Sequence, residues 1–223
     1  MCGRYAITLP PEAMRDAFDA DLVDNGLPPV PNWNVCPTNR IPAIAREGGV
    51  RRLTAFRWGL VPRWYAKPNG GPLLINARAE TVAEKPAFRD AVRERRCLIP
   101  ADGFYEWTKD ADGNRLPWWV TRRDGAPMVF GGLWQPWGRD GEALRAAAIV
   151  TVEAGPDVAA IHHRQPLILR PGDWALWLGE EGHGAAALMR PSPEGTMDAV
   201  RVSTEVNSNR AAGEGLVRPI NPA

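Results

Sequence analysis

The residue with the most chemistry to offer stands second in the chain. Cys2 follows an initiator methionine, which is ordinarily trimmed when the next residue is small, so the mature chain is expected to begin at Cys2. Such a terminus carries a free α-amine and a thiol on adjacent carbons. An α-amine has a reference pKa near 8 against about 10.4 for lysine, so at neutral pH its nucleophilic fraction is roughly a few hundred-fold larger. An aldehyde would condense with this amine to an imine. The thiol could then add to the imine carbon and close a five-membered thiazolidine, trapping an adduct that would otherwise hydrolyse. Two other readings stay open: a frayed, inert terminal residue, and a glutamine amidotransferase of the N-terminal-nucleophile type, whose free amine is the base for its own thiol.

Aldehyde capture also needs a proton shuttle, a polar group to orient the adduct and an acid where oxygen departs. Leu74-Ile75-Asn76-Ala77-Arg78-Ala79-Glu80-Thr81 places an amide directly after an apolar run. Asn76 could orient the amine or hold a sugar oxygen, or be a turn residue ending a strand. Ala101-Asp102-Gly103-Phe104-Tyr105-Glu106-Trp107 sets a carboxylate among aromatics. If buried, Glu106 has its pKa raised toward the range useful for proton transfer; alternation could instead turn it to solvent. Ile161-His162-His163-Arg164-Gln165-Pro166 carries two of the three histidines, natural acid/base groups near neutral pH or a structural pair. His183, in a glycine-rich loop, reads as surface. The cysteines Cys2, Cys36 and Cys97 form no CxxC pair, which points to a reducing cytosol and away from a zinc site.

The elements that must position these groups are short. Gly and Pro number 22 each in 223 residues, well above the ordinary ~12% combined, and suit many strands and loops better than long helices. The pattern predicts a strand over 3–8 and a helix from Pro11 with Met14, Ala17, Phe18 and Leu22 on one side. A proline-rich loop over 27–37 follows, then a hairpin of 41–46 and 51–58 around Glu47-Gly48-Gly49. A strand over 73–76 and a helix over 86–95 come next, with Phe88 and Val92 inward and Arg89, Arg93 and Arg96 outward. Further strands are expected over 97–100, 104–108, 118–121, 128–134, 146–152, 164–169 and 200–203, with a short helix over 173–178. The fold class is α+β: a single compact domain over residues 1–223 with a curved, mostly antiparallel, barrel-like sheet and a few flanking helices. Of the ten tryptophans, most are expected in the core and some as stacking platforms. No apolar run approaches the ~18 residues of a membrane span, and the first ten residues lack a secretory pattern, so a cytoplasmic monomer is expected.

Charge is placed unevenly. Between Arg40 and Arg96 there are 13 Lys/Arg against 5 Asp/Glu, while the remainder holds 14 against 21. A basic block in a nearly neutral chain suggests a local anionic partner, or a solvated face balanced elsewhere.

Taken together and in order, Met1-Cys2-Gly3-Arg4-Tyr5, Trp33 to Thr38, Trp58-Gly59-Leu60-Val61-Pro62 with Trp64, 75–81, 101–107, 161–166, and the closing Val202-Ser203 and Val206-Asn207 resemble the SRAP (SOS-response-associated peptidase) family. Its members crosslink to abasic sites in single-stranded DNA. The resemblance implies that Cys2 forms the thiazolidine, Asn76 positions the terminus and sugar, Glu106 is the acid/base carboxylate and His162 helps to open the sugar. It implies that Arg4, Asn34, Pro37, Trp64, Arg78, Thr151 and Arg164 grip the strand or wedge against a neighbouring base. The partner implied is single-stranded DNA containing abasic sites, with no cofactor, metal or membrane, acting at the nucleoid in the DNA-damage response. The family name implies self-processing of the N-terminus, for which an ordinary aminopeptidase acting on Met1 would suffice, and Schiff-base chemistry implies weak lyase activity. Three departures are visible: His163 and Gln165 replace the usual Asp and Met, Tyr65 replaces a second Trp, and Asn69-Gly70-Gly71 looks inserted. A plain single-strand-binding module would bind without a covalent product.

Overall fold

The computed structural model describes residues 2–23, 26–138 and 144–220. In chain order the first strands are β1 (Tyr5–Ile7), β2 (Asp21–Leu22), β3 (Asn32–Val35), β4 (Arg40–Glu47), β5 (Val50–Trp58) and β6 (Asn76–Arg78). Then follow β7 (Arg96–Ala101), β8 (Gly103–Lys109), β9 (Arg115–Arg122), β10 (Met128–Trp137), β11 (Leu144–Glu153), β12 (Arg164–Pro166) and β13 (Met197–Arg201). The helices are short: α1 (Pro11–Phe18), α2 (Arg89–Glu94), α3 (Pro156–Ala159) and α4 (Trp174–Leu178).

Two sheets share the chain. One runs β13-β9-β8-β1-β3 and is antiparallel throughout. In the other, β11, β10, β7, β4 and β5 follow one another and close into a ring, because β11 also pairs with β5, parallel, at Ala146↔Arg57 and Ala147↔Trp58. The expected α+β fold with a curved, mostly antiparallel, barrel-like sheet is therefore the one observed. The ring interior is filled by apolar side chains such as Phe56, Trp58, Ile99, Phe130 and Ile149. A second apolar cluster lies on the other face of the five-stranded sheet, where Tyr105 and Trp119 pack with Val202, Val206 and Leu216. Closure of the ring leaves fewer open edges to protect.

Local chemistry explains most boundaries. Pro11 opens α1, Met14 and Phe18 face the core, and Asp19 ends it in the left-handed region (φ 47). That early stop removes Leu22 from the helix; it lies in β2 and is exposed. The hairpin β4–β5 turns at Gly48-Gly49, both at positive φ, as glycine allows. Within 27–37, expected as loop, Asn32–Val35 instead pairs with β1, an edge position that tolerates the flanking prolines. The strand expected at 73–76 begins only at Asn76, where pairing with β11 starts, leaving a single bridge Leu60↔Leu74 before it. The strand expected over 164–169 ends at Pro166, because the chain leaves β11 after the Leu167 N–H bond to the Val150 carbonyl and turns to β10, with the bridge Phe130↔Ile168. Helix 86–95 shortens to α2; Phe88 and Val92 are buried and Arg89 and Arg93 exposed as expected, but Arg96 starts β7. The last expected strand, 200–203, is β13 at Met197–Arg201.

Gly103 shows how closely neighbouring strands of the five-stranded sheet pack. It pairs with Ala6 of β1, and a Cβ there would meet the carbonyl oxygen of Val120 and the indole of Trp119. Gly103→Ala should therefore destabilise the protein by about 1–3 kcal/mol, read as a lower urea midpoint with an unchanged m-value.

Candidate functional site

Strand β8 decides the fate of Glu106. Phe104 and Glu106 share one face, Tyr105 and Trp107 the other. Alternation would ordinarily wet one of them, but here both are covered. Phe104 packs on Phe130 of the ring (centroids 6.2 Å apart), and the C-terminal residues Val202, Val206 and Leu216 cover Tyr105. Glu106 is thus carried indoors and is 3% exposed. Burial raises its pKa above the ordinary carboxylate value, with the chain's amino terminus and Arg115 among the groups pulling the other way.

Strand β1 delivers Cys2 to that carboxylate. The β1–β8 register, Tyr5↔Phe104 and Ala6↔Gly103, is prolonged by the Tyr105 N–H bond to the Arg4 carbonyl at 2.9 Å. Continued one step, it sets the chain ahead of β1 across from Glu106. Cys2 is fully buried. Its thiol is pushed far above its usual pKa by burial and then by the charge of Glu106, so the sulfur is held as S–H. Asn76 Nδ2 donates to the Cys2 carbonyl at 3.0 Å. Its Oδ1 is buried and finds no hydrogen bond among the described residues. A buried acceptor left this way costs about 1–3 kcal/mol and marks a place where a ligand hydroxyl or amine would be welcome.

His162 arrives from another direction. Its backbone N–H bonds the Val158 carbonyl at 3.0 Å, and its Nδ1 accepts the Arg164 N–H at 2.9 Å. An acceptor at Nδ1 leaves the proton of the neutral ring on Nε2. Burial lowers its pKa below the ordinary imidazole value, and the positive charge of the chain's amino terminus and of His163 adds to this. Strand β11 brings this loop to Asn76, since Thr151 pairs with Arg78 of β6 and with Pro166 of β12. The link is locked by Arg164, whose guanidinium donates to both Glu80 carboxylate oxygens (2.7 and 2.9 Å) and to the Thr151 carbonyl (2.6 Å), a fork-on-fork geometry. The structure therefore bonds Asn76 to Cys2, sets the charge of Glu106 on the Cys2 thiol, and holds His162 in the turn just before β12.

The residues expected on the strand divide into two groups. Arg4 donates to Asn34 Oδ1 at 2.6 Å and to the Val206 carbonyl at 2.9 Å, and Asn34 Nδ2 bonds the carbonyls of Ser208 (3.2 Å) and Ala211 (2.6 Å). Thr151 is fully buried and Arg164 nearly so. These four hold the protein's own backbone. Trp64, by contrast, is 62% exposed, Arg78 is exposed on the same side of β6 as Asn76, and Pro37 is half-buried. The basic block divides likewise. Arg51 pairs with Glu180, Arg57 bonds Asn69 and the Gly59 carbonyl, and Arg46 bonds the Gly179 carbonyl. Arg63 and Arg78 are exposed with no side-chain bond among the described residues.

Three contributors carry no sign of their role in the sequence read locally. Glu80 anchors Arg164 from 84 positions away. Asn207 accepts from Trp107 Nε1 at 2.6 Å and donates to the Arg115 carbonyl at 3.1 Å. Arg115 lies over the Trp107 ring at 4.5 Å. Each is a contact across distant segments, though Glu80 falls four residues after Asn76 in one motif. Among the described residues, no group of three or more His, Cys, Asp or Glu side chains converges as metal ligands would.

Residues 1–209 match the family model described as SOS response associated peptidase (SRAP). The abasic site processing protein YoaM of Bacillus subtilis is 36% identical, across 93% of each chain. The abasic site processing protein YedK of Escherichia coli is 29% identical, across 99% of this chain and 100% of its own. The abasic site processing protein HMCES of Xenopus tropicalis is 29% identical, across 94% of this chain and 76% of its own. Among solved structures, a protein from Bacteroides thetaiotaomicron superposes with a TM-score of 0.83 over 99% of this chain and 100% of its own, at 24% identity.

The buried carboxylate has a measurable signature. A pKa raised by folding stabilises the protein below the unfolded value, and that contribution is lost as pH rises through the folded value. Glu106→Gln should therefore unfold at higher urea than the parent at pH 8, with the difference vanishing below about pH 3, where the side chain is protonated in both states. Parallel urea titrations at the two pH values read this directly.

Proposed function

The chain belongs to the SOS response associated peptidase (SRAP) family, and from that premise we propose that it captures abasic sites in single-stranded DNA as a covalent adduct of Cys2. The observation that carries this reading is the burial of Cys2 against Asn76 and beside Glu106. Removal of Met1 gives Cys2 the α-amine that the chemistry needs. The strand lies along Arg78 and Arg63, which offer charge to phosphates, with Trp64 and Pro37 as platforms for bases. Arg4, Asn34, Thr151 and Arg164 frame the site.

A sugar without its base is a cyclic hemiacetal. As the ring opens, a protonated His162 gives its Nε2 proton to the ring oxygen while the Glu106 carboxylate takes the proton of the anomeric hydroxyl, leaving the aldehyde. The Cys2 amine attacks that carbonyl carbon, and Glu106 moves a proton from the nitrogen to the departing hydroxyl, so that water leaves and an imine remains. The thiol then adds to the imine carbon while its proton goes to the nitrogen, closing the thiazolidine with a net loss of one water. Burial keeps the sulfur protonated, which favours amine first and thiol second. It disfavours an amidotransferase, whose thiolate must attack first. Asn76 holds the Cys2 carbonyl and offers Oδ1 to the new amine or a sugar hydroxyl. The adduct shields the lesion from cleavage as part of the DNA-damage response, and an imine that escapes closure gives weak β-elimination. Peptidase activity would act on the chain's own N-terminus.

The test is an abasic single-stranded oligonucleotide mixed with the purified protein. A denaturing-gel-stable adduct should form, with an intact mass of the Met1-less protein plus the oligonucleotide minus water. Cys2→Ala should abolish it, and Cys2→Ser should leave only an imine trapped by borohydride. A full-strength stable adduct in Cys2→Ala would end the proposal. Binding to undamaged single strands should weaken by ~0.7 log units per log unit of salt for each phosphate neutralised, and Arg78→Ala should reduce that slope by one such step.

A further inference from the structure

At the level of Glu106 the five-stranded sheet sets a row of residues across its strands. Arg201 of β13 pairs with Trp118 of β9, and Trp118 pairs with Glu106 of β8. The registers Tyr5↔Phe104 and Tyr5↔Val35, continued by two residues, bring Gly3 and Pro37 to the same level. Directly opposite residues of neighbouring strands project to one face. Glu106, Trp118 and Arg201 therefore share the face on which the next row, Phe104, Val120 and Ala199, packs into the core. The strand order β13-β9-β8-β1-β3 then puts Pro37 on one flank of Cys2 and Glu106, and Trp118 with Arg201 on the other.

Arg201 is held differently from the arginines that tie the fold together. Its guanidinium lies over the Trp118 ring, 5.4 Å from the centroid, and its Nε donates to the Pro117 carbonyl at 3.2 Å. Trp118 is itself fixed by the bond from its Nε1 to Thr108 Oγ1 at 3.0 Å. Among the described residues, the two terminal nitrogens of Arg201 make no hydrogen bond and no carboxylate pairs with it. Both side chains are half-buried. A guanidinium seated on an indole and bonded along one edge keeps the rest of its fork open to an oxyanion. Arg201 also stands outside the basic run from Arg40 to Arg96, so the uneven charge along the chain does not point to it.

We propose that Arg201, seated on Trp118, is a phosphate subsite for the DNA strand on the flank of the captured sugar opposite Pro37. This rests on the reading of the chain as a capture protein for abasic single strands. An internal abasic site continues into a nucleotide on each side, and contacts on one flank alone leave the other free to swing. Two strand spacings, about 10 Å, separate the backbone of Arg201 from that of Glu106, so a strand crossing the sheet from Pro37 past Cys2 meets Arg201 next. The fork donates to phosphate oxygens, and the indole beneath holds it in place.

Two measurements on the full chain test this. The first follows binding of an undamaged single-stranded oligonucleotide by fluorescence anisotropy across a salt series. Arg201→Ala should weaken binding roughly three- to tenfold at low salt and make the log–log salt dependence shallower by ~0.7. Arg201→Lys keeps the charge and should keep the slope. The second compares crosslinking to three abasic oligonucleotides: one with the lesion in the middle, and two cut short on one side of it or the other. Arg201→Ala should raise the concentration for half-maximal crosslinking on the central lesion and on one shortened oligonucleotide. Its effect should be smallest on the other, whose missing flank is the one that Arg201 holds. An unchanged salt slope in Arg201→Ala, or an equal loss on all three oligonucleotides, would overturn the proposal. A parent protein that forms no adduct at all would end the capture reading, and the salt slope alone would then decide whether Arg201 holds a phosphate.

Discussion

Strand β11 hydrogen-bonds along both edges, and on each edge it changes partner partway. On one side β10 gives way to β12, and on the other β5 gives way to β6. The first pair of partners closes the ring; the second carries two side chains of the candidate site. Asn76 begins β6, His162 lies two residues before β12, and Thr151 of β11 pairs with both strands. Two side chains 86 positions apart in sequence are therefore brought to one strand, Asn76 at the start of β6 and His162 in the turn just before β12. The Arg164–Glu80 pair ties the two outer strands together across it.

The remaining half of the site comes from the other sheet. There the antiparallel register of β1 against β8 carries Cys2 past Glu106, and the C-terminal residues around Val206 cover the outer face. Arg4 and Asn34 clasp that C-terminal segment through its carbonyls. The N-terminal strand is thus held between β8 and the end of the chain, and a terminus that would ordinarily fray becomes one of the most buried places in the molecule.

Burial has an energetic cost that the site retains. A carboxylate inside an apolar wall, an amide oxygen without a bond among the described residues, and a thiol kept protonated are each unfavourable next to a well-packed hydrocarbon core. A ligand that bonds Asn76 Oδ1 or gives a proton to Glu106 would relieve part of that cost. Burial acts on His162 in the same way, lowering its pKa, and its Nδ1 is occupied by a backbone N–H.

Much of this was legible in the chain itself. Cys2 announces its chemistry by position alone, since an α-amine beside a thiol has the same reactivity in any fold. The glycine and proline density foretells short strands, the Glu47-Gly48-Gly49 turn foretells its hairpin, and Pro11 foretells α1. The ordered motifs name Asn76, Glu106 and His162, and the family they resemble is the one whose model matches residues 1–209. What local sequence could not decide was which face of β8 is buried, because both are, one by the ring and one by residues a hundred positions later. Nor could it tell that half of the basic block is bound internally, that Arg4, Asn34 and Arg164 hold backbone and Glu80 in place, or that His163 lies on His162. Periodicity and propensity act over a few residues. Burial, ion pairing and ring stacking depend on distances between segments far apart in the chain, and only the closed ring and its clasped terminus fix those distances.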